Sequence, residues 1–306
     1  MKPVARVALP FAATVATALG LAACSSQSAR EPTTVNLATT PKPLRFDRLG
    51  LFFVIEAHTE SGPLRLLVDT GAARTFLDDD VARQFPRKNL RSTRDRVRSA
   101  NGEIVRLSSY LEVKSLTVGA FEATDLRAPL LDLAQIQRVL GDDIDGLLGW
   151  DVLRSAVTTF DFADRTIRID PPSASPARDV NAGARLVPGD IAITVIELAG
   201  QRTRAVVDTG SDGPFAVASV EQLPLNGPVR DGALVRGVGG AHRSREATLK
   251  GVAKFGGATF TNPIVGETAG LPRVGSAALA GGVLVIDGPR GVVWFEPGKG
   301  SNRDRD

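Results

Sequence analysis

The sequence predicts a mostly β fold of two homologous β-barrel lobes, related by a pseudo-twofold axis and carrying only short helices. Two observations lead to this prediction. Apolar runs of strand length alternate with Gly, Pro and Asn turn signals along most of the chain. The second half of the chain also repeats the order of elements found in the first half. An internal repeat of this length indicates a duplicated structural unit.

Each repeat begins with a hairpin that ends in an aspartate. "LFFVIEAHTESGPLRLLVD" contains two apolar strands joined at residues 60–62, and it ends in Asp69. "IAITVIELAGQRTRAVVD" contains two strands joined at 199–200, and it ends in Asp208. Both aspartates are followed by Thr-Gly, in "VDTGA" and "VDTGS". Short helices are predicted after these turns, at 78–85 and 217–222.

The elements downstream of each aspartate also match. A second hairpin is predicted in each half, with its tip at Ala100, Asn101 and Gly102 in the first and at Gly237, Val238, Gly239 and Gly240 in the second. An apolar segment ending in glycine follows, "GLLG" at 146–149 and "PRVG" at 272–275. The same spacing of twelve residues leads from Gly149 to Asp161 and from Gly275 to Asp287.

The N-terminal residues have the composition of an export signal. Lys2 and Arg6 precede an uncharged apolar run that ends at "LAAC", which resembles the processing site of bacterial lipoproteins. The resemblance implies lipidation at Cys24, the only cysteine of the chain, and a lipoprotein of the bacterial cell envelope that faces the periplasm. Ser25 favours the outer membrane. An incidental cysteine in a cleaved leader is the alternative.

These observations divide the chain into six segments. We predict a signal peptide at 1–23, a lipidated flexible tether at 24–43, the first lobe at 44–170, a linker at 171–183, the second lobe at 184–297 and a polar tail at 298–306. The tether and the linker are rich in Ser, Thr and Pro. With no disulfide available to the exported part, the two lobes depend on a hydrophobic core for stability.

Composition argues against several functional classes. The net charge is only +3, and the basic segment at 83–98 has none of the interleaved aromatic residues that stack on bases, so we expect no nucleic acid partner. A solvent-exposed loop is the simplest interpretation of this segment; attraction to anionic envelope components or an acidic substrate is the alternative. With two histidines and no His-Glu-x-x-His segment, neither a metal nor a cofactor is expected.

Two aspartates on equivalent loops point to acid–base chemistry. If the lobes pair about a twofold axis, Asp69 and Asp208 meet, and carboxylates about 3 Å apart cannot both ionise. The ionised one can take a proton from a water while the neutral one protonates the carbonyl oxygen under attack. This chemistry hydrolyses an amide without a covalent intermediate. One Asp-Gly turn alone is more often structural, but two in matching contexts favour the catalytic interpretation.

With these motifs the chain resembles the aspartic protease clan, which contains the retropepsin-like and pepsin-like enzymes. The resemblance covers about residues 44–297. It implies two acid-protease-type lobes, with Asp69 and Asp208 as the catalytic aspartates. It further implies that the hairpin tips at Ala100–Gly102 and Gly237–Gly240 are flaps that close over an extended peptide or protein substrate. A further set of residues is expected to support the aspartates: Thr70, Gly71, Thr209, Gly210 and Ser211.

The resemblance also implies a tethered endopeptidase that acts on cell-envelope polypeptides, as a monomer with an intramolecular two-lobe site. The second lobe departs from the pattern at Arg273, where an apolar residue is usual. Ser211 stands where the first lobe has Ala72, and from this difference we predict that its hydroxyl favours the charged form of Asp208 and leaves the proton on Asp69. A catalytically inactive peptide-binding lipoprotein and a purely structural lipoprotein are the alternatives.

Overall fold

The computed structural model describes residues 33–36, 44–45, 51–99, 102–141, 143–174, 176, 178–237 and 240–298. The predicted signal peptide, Cys24 and residues 299–306 lie outside the described residues, as do four of the predicted flap residues, Ala100, Asn101, Val238 and Gly239. None of the described helices is long and apolar enough to cross a membrane.

The predicted mostly β fold is confirmed. The strands before residue 171 are β1 (Thr33–Asn36), β2 (Leu44–Arg45), β3 (Val54–Thr59), β4 (Gly62–Val68), β5 (Phe76–Asp78), β6 (Leu90–Ser92), β7 (Arg96–Arg98), β8 (Ile104–Arg106), β9 (Ser109–Val118), β10 (Phe121–Leu131), β11 (Gly146–Leu148), β12 (Val157–Asp161) and β13 (Thr166–Asp170).

The later strands are β14 (Ala184–Val187), β15 (Ile193–Leu198), β16 (Gln201–Asp208), β17 (Phe215–Val217), β18 (Arg230–Gly237), β19 (Gly240–Thr248), β20 (Val252–Phe255), β21 (Ala258–Thr261), β22 (Ile264–Glu267), β23 (Arg273–Gly275), β24 (Val283–Asp287) and β25 (Val292–Glu296).

The described helices are short, as predicted. Two are α-helices, α1 (Ala134–Leu140) and α2 (Trp150–Leu153). The others are 3-10 helices, at Asp79–Gln84, Arg87–Asn89, Pro172–Ala174, Val220–Gln222 and Ser276–Leu279. The predicted helices at 78–85 and 217–222 are therefore present as 3-10 turns. At the first of them Asp78 is the N-cap, because its side chain accepts a hydrogen bond from the N–H of Asp80.

Six strands of the first lobe close into a barrel. Their order is β10-β5-β11-β4-β3-β9, and β9 pairs back with β10. The predicted hairpin is the unit β3–β4, whose turn uses Gly62 at φ 128°, a conformation that favours glycine. The side chains of Leu64, Leu66 and Val68 point into the main hydrophobic core, because alternate residues of a strand face the same side.

The second lobe uses the same strand order around its own aspartate. β22, β17, β23, β16 and β15 are consecutive neighbours, as β10, β5, β11, β4 and β3 are in the first lobe. The two long strands β9 and β10 of the first lobe correspond in order to shorter strands here, β19 with β20 and β21 with β22. The interruptions lie beside Gly251 and Asn262, both of which have positive φ.

A shared sheet joins the two lobes. β12 pairs antiparallel with β24 so that Thr159 lies opposite Val285, Val157 opposite Asp287 and Asp161 opposite Val283. This reciprocal register is what a twofold axis through the central pair would produce, and it supports the predicted pseudo-twofold relation, which stays a prediction. β1 lies within the predicted tether and pairs with β10, so the chain joins the first sheet before the predicted lobe boundary.

Candidate active site

The two aspartates of the Asp-Thr-Gly repeats lie at the ends of equivalent central strands. Asp69 directly follows β4, and its N–H donates to the carbonyl of Leu148 at 3.0 Å. Asp208 is the last residue of β16, where it pairs with Gly275 of β23. Both carboxyl groups are buried, with 0% and 1% of the residue exposed. A carboxylate at such a position has lost most of its hydration, which disfavours the charged form.

The two threonines of the repeats bind the lobes to each other reciprocally. Thr70 Oγ1 donates to the carbonyl of Val207 at 2.5 Å and accepts from the N–H of Thr209 at 3.1 Å. Thr209 Oγ1 donates to the carbonyl of Val68 at 2.9 Å and accepts from the N–H of Thr70 at 3.2 Å. Each hydroxyl thus satisfies two buried backbone groups of the opposite lobe, which fixes the two aspartate loops relative to each other.

The two glycines allow each loop to approach the carboxyl group of the other lobe. A methyl group added at Gly210 would lie 2.3 Å from Cγ of Asp69, and one added at Gly71 would lie 2.6 Å from Oδ1 of Asp208. No side chain fits at these distances, so the glycines are required by the close approach. The structure therefore brings Asp69 and Asp208 together, with Thr70, Gly71, Thr209 and Gly210 around them.

Asp69 lies among neutral groups of its own lobe. Oδ1 accepts hydrogen bonds from the N–H groups of Gly71 at 2.9 Å and Ala72 at 3.1 Å. Burial is the main cause that raises the pKa of Asp69 well above its usual range, and the nearby carboxylate of Asp208 raises it further. The two N–H groups and Arg273 lower it by less. Asp69 therefore holds its proton more firmly than an ordinary aspartate does.

Asp208 has a positive charge beside it. Arg273 Nη1 lies 3.3 Å from Oδ2 of Asp208, and Arg273 Nη2 donates to Thr268 Oγ1 at 2.8 Å. The pKa of Asp208 is raised to about 6. Burial is the main cause that raises it, and the charge of Arg273, the N–H of Gly210 and a hydrogen bond from Asp69 oppose that rise. The pair thus has an acid that ionises first and a partner that stays protonated.

One oxygen of each aspartate is available to hold the proton that the pair shares. Asp69 Oδ2 and Asp208 Oδ1 are buried and accept from no N–H or O–H donor elsewhere in the described part of the chain. A protonated Asp69 can itself supply the missing hydrogen bond to Asp208, which is the bond that lowers the pKa of Asp208. Because the two groups titrate together, each ionisation step belongs to the pair as a whole.

Ser211 does not have the contact that was expected from the sequence. Its Oγ accepts a hydrogen bond from the N–H of Gly213 at 3.4 Å, and among the described residues it donates to neither aspartate. The hydroxyl therefore contacts the backbone of its own loop, two residues further along the chain. The charge next to Asp208 comes from Arg273, a residue that the sequence marked only as a departure from the apolar pattern.

The predicted flaps are hairpins in both lobes, although their tips lie outside the described residues. β7 pairs with β8 in the first lobe, and Gly102 turns with φ 87°. β18 pairs with β19 in the second lobe, where Gly237 lies opposite Gly240. The first hairpin is anchored beside the aspartate loop, since Val97 is buried in the same apolar cluster as Ala72.

Asp151 supports the loop of the first aspartate, a role that was not predicted from the sequence. The N–H of Thr75 donates to Asp151 Oδ1 at 2.8 Å, and Thr75 Oγ1 donates to the same oxygen at 2.9 Å. Thr75 Oγ1 also accepts from the N–H of Gly149 at 3.1 Å. Burial raises the pKa of Asp151, and the hydrogen bonds from Thr75 lower it by less. The presence of Thr75 in only one repeat was the single sequence signal for this contact.

Comparison with known proteins agrees with this geometry. Residues 55–152 match the family model described as aspartyl protease. This segment, called the aspartyl protease segment below after the model that it matches, is similar to aspartyl proteases. The aspartyl protease segment runs from β3 to α2, so it includes Asp69, the first flap hairpin and the "GLLG" strand β11. Residues 184–297 lie outside the matched segment.

One solved structure and the curated sequences complete the comparison. The structure of a retropepsin-like aspartic protease from Rickettsia conorii matches with 20% sequence identity, over 46% of this chain and 97% of its own, at a TM-score of 0.30. No curated protein matches the chain. The family match of the aspartyl protease segment suggests a hydrolase.

Proposed function

We propose that the protein is an aspartic endopeptidase of the bacterial cell envelope that hydrolyses peptide bonds of extended polypeptides. The observation that carries the proposal is the buried pair of Asp69 and Asp208, held together by the reciprocal hydrogen bonds of Thr70 and Thr209. Burial raises the pKa of both acids, and such perturbed pairs of carboxyl groups are typical of acid–base sites.

The mechanism assigns a different role to each acid. Asp208, which ionises first, takes a proton from a water placed between the two carboxyl groups. The resulting hydroxide attacks the carbonyl carbon of the peptide bond, and Asp69 gives its proton to the carbonyl oxygen. Collapse of the tetrahedral intermediate then breaks the C–N bond, and the amine leaves with the proton that Asp208 had taken. The shared proton returns to Asp69 from the hydroxyl of the intermediate, so that the site is restored.

The substrate is proposed to be an extended chain, because each half of the chain offers a β-hairpin with strand edges, β7–β8 in the first lobe and β18–β19 in the second. An extended peptide can bind there through main-chain hydrogen bonds to strand edges. The proposed location in the envelope depends on the leader and on Cys24. Loss of labelled fatty acid in a Cys24→Ser variant tests it.

The deciding experiment is cleavage of an unfolded protein by the purified full chain, measured from pH 4 to pH 8. We expect Asp69→Asn and Asp208→Asn each to lower kcat/KM by at least about 100-fold, because each removes one partner of the acid–base pair. Asp164→Asn, at an exposed turn, is the matched control and keeps the original activity. A peptide that contains a statine-type mimic of the tetrahedral intermediate should inhibit the active protein.

A second candidate is a peptide-binding protein that does not hydrolyse its ligand. It is favoured by one observation, the buried guanidinium of Arg273 beside Asp208, because an ion pair can occupy a carboxylate that catalysis needs. An original protein that binds extended peptides with no cleavage over the whole pH range would establish this candidate. Cleavage that disappears in both Asp→Asn variants would reject it.

A further inference from the structure

We propose that Arg273 is a positioning residue that holds the negative charge of the aspartate pair on Asp208 and thereby leaves the shared proton to Asp69. This inference rests on the proposed peptidase function for its meaning. The geometry on which it depends, however, is that of one buried arginine, and it can be tested without any catalytic assay.

Arg273 lies next to the strand that ends in Asp208. β23 runs parallel to β16, and Arg273 pairs with Val206, two residues before Asp208. In the first lobe β11 runs parallel to β4, and Leu147 pairs with Leu67, two residues before Asp69. Arg273 and Leu147 therefore occupy corresponding positions next to the two acids. Only the second lobe places a cation there.

The side chain of Arg273 has more space around it than the side chain of Leu147 has. Leu147 lies opposite Phe76 on the antiparallel neighbour β5, and both residues are completely buried. Arg273 lies opposite Ala216 on β17, which has a far smaller side chain. The small neighbour leaves room for the guanidinium beneath the aspartate loop, where only 7% of Arg273 is exposed. A long cationic side chain is accommodated at this position by the residue across from it.

Two contacts orient the guanidinium of Arg273. Nη1 lies 3.3 Å from Oδ2 of Asp208. Nη2 donates to the hydroxyl of Thr268, whose backbone N–H is bonded to the carbonyl of Val217 at 2.9 Å. The guanidinium is thus fixed between the carboxylate and a threonine that β17 holds in place. Replacing this carboxylate by a neutral group would remove the negative charge beside the buried guanidinium, which is costly.

Among the described residues, two ionisable side chains act on Asp208, Arg273 from β23 and Asp69 from the end of β4. They act in the same direction, since the cation favours ionisation of Asp208 and a protonated Asp69 donates a hydrogen bond to it. On Asp69 the effect of Arg273 is the smallest of the named causes. The charge of Arg273 therefore acts unequally on the ionisation of the two acids, whose backbone surroundings are otherwise similar.

The test follows the ionisation of Asp208 directly, by 13C NMR of the aspartate carboxyl carbons in the full chain as a function of pH. Arg273→Met removes the charge with little change in length, Arg273→Lys keeps a charge, and Arg204→Met removes an exposed arginine from the same strand as Asp208. We expect the ionisation of Asp208 to move up by about 1–3 pH units in Arg273→Met. It should move far less in Arg273→Lys, and not at all in Arg204→Met.

The same variants give a kinetic result. The acid limb of the kcat/KM profile should move up with the ionisation of Asp208 in Arg273→Met, so that activity at pH 6 falls by about tenfold or more while KM changes by less than about twofold. An unmoved titration and acid limb would overturn the proposal. So would a large rise in KM with an unmoved titration, because Arg273 would then contact the substrate and leave the charge of Asp208 unaffected.

The role of Arg273 can be tested even if Arg273→Met does not fold or if the protein cleaves no substrate. If Arg273→Met does not fold, the original protein still answers: Asp69→Asn and Asp208→Asn assign the two carboxyl signals, and finding that Asp69 ionises first would overturn the proposal. If the original protein cleaves no substrate, the peptidase function fails, whereas the titration continues to test Arg273. Failure of one proposal is thereby distinguished from failure of the other.

Discussion

The loop of Asp69 and the loop of Asp208 share a backbone scaffold but differ in charge. Both loops have the Asp-Thr-Gly turn, the cross-lobe threonine bonds and a parallel strand on one side. Beside the first loop lies the buried, apolar side chain of Leu147, and the hydroxyl of Thr75 binds Asp151. The second has Arg273 beside its carboxylate. The two loops thus offer corresponding positions, and the different residues at those positions make the two acids unequal.

The largest expected difference is in the stability of the two Asp→Asn variants. Asp208→Asn leaves the guanidinium of Arg273 buried without its carboxylate, and we expect the free energy of unfolding to fall by about 3 kcal/mol. Asp69→Asn puts a neutral amide in place of the acid whose pKa is raised well above its usual range, and the change should stay within about 1 kcal/mol. Urea unfolding at pH 7 measures both. Equal losses would show that the lobes do not differ in this way.

The threonines test the part of the comparison that is symmetric. Thr70→Ala and Thr209→Ala each leave a buried carbonyl and a buried N–H of the other lobe without their partner, and each should cost about 2 kcal/mol. Thr70→Ser and Thr209→Ser keep the hydroxyl and should cost less than half as much. The same urea titrations apply. A difference of more than about 1 kcal/mol between the two alanine variants would indicate that the two threonine contacts are not equivalent.

The pH dependence of activity follows from the inequality of the acids. The pKa of Asp208 is raised to about 6, so below that pH the pair gains a second proton and loses its base. We expect kcat/KM to fall by about tenfold for each pH unit below this value. At higher pH, activity should fall when Asp69, whose pKa is raised well above its usual range, loses its proton. A maximum near pH 3 would contradict this assignment.

A smaller effect is expected at the contact found only in the first lobe. Thr75→Val removes the hydroxyl that binds Asp151 and accepts from Gly149, which should lower the free energy of unfolding by about 1.5 kcal/mol. Thr75→Ser is the control that keeps both hydrogen bonds. Because Pro214 stands at the corresponding place of the second lobe, Pro214→Ala should not reproduce the loss. Thermal or urea unfolding of the three variants decides.

The smallest effect is expected at Ser211. Among the described residues its hydroxyl accepts only a 3.4 Å hydrogen bond from Gly213, so Ser211→Ala should change stability by less than about 0.5 kcal/mol and leave the acid limb of the pH profile in place. Its comparison with Arg273→Met separates the two explanations for the charge on Asp208. A shift of the acid limb in Ser211→Ala would restore the explanation that was drawn from the sequence.

The sequence by itself determined the elements whose signals are local. Alternating apolar residues and turn glycines predicted the hairpins β3–β4 and β15–β16, and the two Asp-Thr-Gly turns predicted a pair of acids. The short helices after each turn followed from the same local pattern. The strand register and the barrel closure between β9 and β10 could not be predicted, because pairing partners far apart in the chain leave no periodic signal.

Only the tertiary structure decided which groups touch the two acids. Thr70 reaches the backbone of Val207 in the other lobe, and Arg273 reaches Asp208, which lies 65 positions earlier in the chain. In the sequence Arg273 was a departure from an apolar pattern, and Ser211 was the expected hydrogen-bond donor. The structure reverses their importance. The direction of a side chain depends on the strand that carries it and on the space left by its neighbours, and both are set by packing between distant segments.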